Sequence, residues 1–147
     1  MKILSVITKY SWVGTFSSLG LIISNLLGGW DVPIQTLLFF MAIDYITGLL
    51  CAISGKSEKG SLNSQVGWKG LVKKGVALLI VMCAYRIDTM ASIDYARNWT
   101  ILSFTLVEFI SITENSGLLG VKVPSFLVRI IEVLKNKQEE ENKEDES

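Results

Sequence analysis

PIQTLLFFMAIDYITGLLCAI, residues Pro33 to Ile53, is the stretch whose reading decides the fold. An α-helix needs about 20 apolar residues to cross a bilayer, and this run supplies them with one acidic interruption, Asp44. On a helix Thr47, Gly48, Cys51, Ala52 and Gly55 lie within roughly 80° of Asp44. Larger side chains such as Phe39, Ile43, Ile46, Leu49 and Leu50 lie mostly elsewhere. A carboxylate facing lipid at mid-span costs roughly 3 kcal/mol or more. The Asp44 face is therefore expected to meet protein or water, and its small residues let another helix approach closely.

Composition sets the class. Half of the 147 residues are hydrophobic, and the apolar residues come in long runs. The mean hydropathy of +0.43 exceeds that of an ordinary soluble domain and points to a small integral membrane protein. There is no histidine. Both cysteines, Cys51 and Cys83, fall inside apolar runs and read as small buried residues rather than a disulfide framework or a metal site. These features argue against an enzyme of the common histidine-based kinds. No Gly-rich phosphate loop is present, and neither a cofactor, a metal nor a nucleic-acid partner is expected.

Outward from Pro33, the pattern predicts an all-α membrane protein of about four transmembrane helices near residues 10–30, 33–53, 71–87 and 95–114. Tyr10 to Trp30 is weakly hydrophobic and two-faced, with Trp12, Phe16, Leu19 and Ile23 opposite Gly14, Ser18 and Asn25. It reads as an uncleaved first helix, since no small-x-small cleavage pattern follows it. It can pack its small face on neighbours or sit at the interface. Gly28, Gly29 and Pro33 mark a tight turn into the second span, and Ser54 to Gly67 reads as a polar loop. Lys73 and Lys74 must snorkel for the third span to cross. The fourth carries Glu108, which shares a face with Thr105, Ser111 and Asn115. Gly117 to Val123 reads as a connector that closes a transmembrane domain over residues 1–123. Pro124 suits the first turn of an amphipathic helix over residues 124–137, too short and charged to span and expected on the membrane surface. Residues 138–147 hold six acids and one lysine and read as a disordered acidic tail.

Charge placement gives the orientation. Four spans put both termini and the Ser54–Lys74 loop on one side, which collects twelve of the fourteen Lys and Arg residues; only Arg86 and Arg97 fall on the other. The rich side is cytoplasmic by the positive-inside rule.

Four blocks then resemble a known family. They are Asp44-Tyr45-Ile46-Thr47-Gly48, the loop SLNSQVGWKGLVKKG from Ser61 to Gly75, EFISITEN from Glu108 to Asn115, and GLLGVKVP from Gly117 to Pro124 followed by a basic helix. Together, and in this order, they are similar to the toxin-secretion and phage-lysis holins of Gram-positive bacteria and their phages, across about Leu37 to Lys135. The resemblance implies a protein of the bacterial cytoplasmic membrane that oligomerises into lesions, through which a cell-wall hydrolase (endolysin) or a toxin leaves the cell. It implies no catalytic residues. The family-like positions are Asp44, Gly48, Gly67, Gly70, Lys74, Glu108, Glu114, Asn115, Gly120 and Pro124. Asp44, Thr47, Gly48, Glu108 and Asn115 are candidates for helix contacts or for lining a pore. Lys73 and Lys74 are candidate charge partners, Lys74 above all for Glu108. For Asp44 an intramolecular hydrogen bond, a protonated acid, a subunit contact and a pore-lining role all stay open, as do a small ion or solute channel or transporter and a non-conducting scaffold for the whole chain.

The charge asymmetry predicts that reporters fused after Ser61 and at the C-terminus behave as cytoplasmic and one at Ala91 as external. An external signal at Ser61 overturns the arrangement.

Overall fold

The structure, a computed structural model, describes residues 18, 20–56, 64–130 and 132–133. They form helices and turns, with no strand among them. Three long helices follow one another: α1 (Val32–Ile53), α2 (Ser64–Ala91) and α3 (Ala96–Leu118). Residues 20–26 are helical before α1, and 125–130 and 132–133 after α3. The first part of the expected helix at 10–30 and the acidic tail at 138–147 lie outside the described residues.

α1 matches the run that Pro33 to Ile53 suggested. Among the described residues it is the one helix long and apolar enough to cross a membrane, with a mean hydropathy of 2.0. α2 is longer than its apolar core: it starts at Ser64, inside the stretch read as a loop, and runs to Ala91 rather than ending near residue 87. No proline interrupts Ser64 to Ala91, and the polar residues there break hydrophobicity without breaking helical geometry. α3 likewise runs through Glu114 to Leu118, into the stretch read as a connector. Its hydroxyls are satisfied locally, Thr113 Oγ1 donating to the Phe109 carbonyl at 2.8 Å and Ser116 Oγ to that of Ile112 at 2.7 Å. The chain stops being helical only where Gly120 takes a φ of +92°.

The chain divides into two compact units, and each long helix contributes a part to both. The unit formed by Met1–Phe39 and Leu71–Thr105 has Leu27, Ile34, Leu37, Val81 and Ile101 as its fully buried apolar centre. The segment at 20–26 ends on Gly28, at φ +83°, with the Gly29 amide reaching back to the Ser24 carbonyl at 2.8 Å. This is a Schellman closure, which needs a left-handed residue. A methyl group on Gly28 would stand 2.6 Å from the Tyr85 ring and 2.8 Å from Arg97 Nε, so the site demands glycine on space as well as on conformation. α2 closes in the same way, the Ile93 amide donating to the Asp88 carbonyl at 3.0 Å, but its left-handed residue is Ser92, at φ 56°.

Arg97 joins three pieces of this unit. Its Nε donates to the Leu27 carbonyl, and its two terminal nitrogens grip the Asp31 carboxylate at 2.8 and 2.9 Å. Asp31 also caps α1, accepting from the Ile34 amide at 3.3 Å. Asp88, only 6% exposed, turns its carboxylate onto the amides of Ala96 and Arg97 at 2.9 and 2.8 Å. An acid at the end of α2 opposes that helix's dipole; here it serves the exposed amides at the start of α3 instead.

The hydrogen bonds from Arg97 hold the Asp31 carboxyl below the usual carboxylate range; burial opposes them, and the Ile34 amide adds a lesser contribution in the lowering sense. A lowered native pKa stabilises above the unfolded value of about 3.9 and ceases to as pH falls through the native value. Unfolding titrations in micelles should therefore show an acid-side loss of stability in the native protein that is reduced in Asp31→Asn. At neutral pH Arg97→Met should cost about 3 kcal/mol, because its partners lose their donor. Asp31→Asn should cost about 1–3 kcal/mol, because its amide oxygen still accepts from Arg97 but the buried guanidinium loses its counter-charge.

Candidate functional site

The second unit, Phe40–Gly70 with Leu106–Ser147, holds the polar face of α1. Asp44 and Thr47 stand one turn apart, and Thr47 folds its hydroxyl back onto the Asp44 carbonyl at 3.0 Å, leaving its oxygen free to accept. Asn115 of α3 fills that place. Its amide nitrogen donates to Asp44 Oδ1 at 3.3 Å and to Thr47 Oγ1 at 3.2 Å. Cys51, two turns beyond Asp44, donates its thiol to the Asn115 carbonyl at 3.3 Å and is buried. Gly48 lies beside these groups, and a methyl group there would meet Asn115 Nδ2 at 3.7 Å, an ordinary contact distance. Phe40 and Phe109 extend the contact through rings 6.1 Å apart and tilted by 58°. The small, polar face of α1 is thus occupied by α3, through a side chain that supplies the donor a carboxylate wants.

The structure brings Asp44, Thr47, Gly48 and Asn115 together. Cys51, read from sequence as a small buried residue on the Asp44 face, joins them as a donor. Glu108 is half-buried on α3, two turns before Asn115; Lys74 is half-buried and Lys73 exposed on α2. Gly67 is near Tyr45, whose hydroxyl would lie 3.6 Å from a methyl group there, whereas nothing lies within 4 Å of such a group at Gly70. Glu114 is exposed. Pro124 stands at the start of the last helical segment, its carbonyl accepting from the Leu127 and Val128 amides at 3.0 and 3.4 Å. The Arg97 cluster was not singled out from sequence. The available signal was one arginine just after a short turn, with Asp31 and Asp88 beside the two turns that precede it.

Among the described residues no group of three His, Cys, Asp or Glu side chains could hold a metal ion. What the site can do is satisfy polar groups inside an apolar helix pair.

The model of the bacteriophage holin family matches residues 21–136, from the segment before α1 to beyond the last described residue. The chain belongs to this family. Its relatives span most of its length. A protein of Clostridium perfringens is 35% identical over 121 residues, covering 81% of this chain and 87% of its own. One from Listeria monocytogenes is 34% identical over 144 residues and 97% of both chains. A third, named a probable holin, comes from Bacillus phage phi105 and is 30% identical over 114 residues, 77% of this chain and 82% of its own. No solved structure matches. Membership of the holin family makes this a membrane protein and supports a holin role.

The packing predicts an order of effects. Asp44→Asn keeps shape and an acceptor, and should change stability by about 0.6 kcal/mol or less, the usual size of a hydrogen-bond effect between helices in lipid. Gly48→Leu drives a branched side chain into Asn115 and should cost about 1–3 kcal/mol. Unfolding of both variants in mixed micelles checks this; equal stability of Gly48→Leu and the native chain contradicts the contact.

Proposed function

We propose that the chain is a holin of the bacterial cytoplasmic membrane that accumulates there and oligomerises into lesions. Through them a cell-wall hydrolase (an endolysin) or a toxin escapes, giving lysis or secretion without stable contact between holin and cargo. The observation that carries this reading is the family match over residues 21–136, which takes in every long helix. The Lys and Arg asymmetry supports several spans with both termini in the cytoplasm. In this reading α1, α2 and α3 are all spans, and Glu108 lies toward the cytoplasmic end of α3. The Asp44–Asn115 bond gives each protomer a means of carrying an acid through the bilayer before assembly, since the acid is served inside the protomer.

Induced expression in a bacterium alongside a muralytic enzyme that has no export signal tests the function. Abrupt growth arrest with release of the enzyme is expected. Depolarisation without enzyme release would indicate a selective channel, and neither effect a non-conducting scaffold.

A further inference from the structure

The segment after α3 has two faces with different fates. Val128 and Glu132 turn toward an open groove of about 450 Å³ that is also lined by Gly117 and Val121. Phe126, Ile130 and Val133 do not line it, and each is half exposed or more. At helical spacing these three fall within roughly 60° of one another, a continuous apolar stripe. Arg129 lies along one edge of that stripe and is exposed, as is Lys122 just before the segment.

Its level follows from a contact inside the same unit. The Cys51 thiol meets the Asn115 carbonyl, and α1 ends two residues after Cys51, α3 three residues after Asn115. The apolar span and α3 therefore leave the hydrocarbon at the same height. Only residues 119–124 separate Leu118 from the helical segment, a tether of at most about 20 Å. The closure at Gly120 shortens it, the Val121 amide reaching back to the Ser116 carbonyl at 3.0 Å. An apolar stripe held at that height, edged by Arg129 and followed in sequence by Lys135 and Lys137, has the chemistry of an anionic lipid surface.

We infer that the Phe126–Ile130–Val133 face is a membrane-docking surface, which lies in the headgroup boundary of the cytoplasmic leaflet and takes anionic phospholipid at Arg129. The leaflet assignment rests on the full topology proposed above; the docking rests only on α1 and α3 lying in the bilayer. The groove side, with Val128 and Glu132, stays turned to the protein.

The test uses the full chain in vesicles of phosphatidylcholine with or without phosphatidylglycerol. In a Cys51→Ser, Cys83→Ala background, single cysteines carrying a spin label replace Ser125, Phe126, Arg129, Ile130, Glu132 or Val133 in turn. Circular dichroism confirms that each variant keeps its helix content. Labels at 126, 130 and 133 should be several-fold more accessible to oxygen, relative to a soluble nickel reagent, than those at 125 and 132. With the label at 130, phosphatidylglycerol should raise this contrast, and Arg129→Gln should shift the bound-to-free ratio about five-fold towards free, the worth of one basic residue at an anionic surface. Nickel access at 126, 130 and 133 in both lipids would overturn the inference. So would protection that vanishes when the protein is diluted in lipid, which would make the occupant a second copy, and so would equal protection with and without phosphatidylglycerol. A C-terminal reporter found outside the cell would overturn the leaflet assignment and the lysis topology while leaving the spin-label pattern intact.

Discussion

The grip of one guanidinium on two connections underlies one end of this fold. Arg97 is buried, yet its donors are matched by the Asp31 carboxylate and the Leu27 carbonyl. A lysine could not do this, because it lacks the planar fork that holds a carboxylate with two nitrogens while a third nitrogen serves another acceptor. The space is equally constrained, since Tyr85 and Arg97 close over Gly28. The turn before α1 and the turn before α3 are thus a single structure made from distant sequence, with Asp88 supplying the missing cap of α3.

The other unit solves a different problem. Asp44 interrupts the most apolar of the three long helices described, and a polar side chain there must find a partner that lipid does not offer. Asn115 supplies a donor, Thr47 shares it, and the Cys51 thiol attends to the Asn115 carbonyl. Hydrogen bonds of this kind add modest stability in a membrane, because an unfolded helix in lipid also finds partners. Their weight lies in selecting which face of α1 meets α3. The same arrangement bears on the proposed function: a holin that accumulated in the membrane before assembling would need its acid satisfied in the waiting state.

Much of this was legible in the chain. The spacing of Asp44, Thr47, Gly48 and Cys51 marks one face, and Asn115, a candidate helix contact, meets it, because helical periodicity is a local property. Helix ends were less legible. Hydropathy reports where lipid can be, not where hydrogen bonding stops, so Ser64 to Gly67 was read as loop and Gly117 and Leu118, the last two residues of α3, as connector. Ser92 misleads in another way, because it takes a left-handed conformation usually given to glycine. The Arg97 cluster was hidden because its partners are 66 and 70 residues away, and no periodicity links them.

The two cysteines differ in a way that turns the chain into its own indicator. Cys83 is exposed on α2, open to whatever surrounds the helix, while Cys51 is shut between α1 and the backbone of α3. A small membrane-permeant thiol reagent reaches the first while the fold is intact. It reaches the second only when α1 and α3 part. The ratio of the two reactions is a clock for the separation of these helices, readable in living membranes without adding a label site, and it distinguishes assembly that preserves the protomer from assembly that opens it.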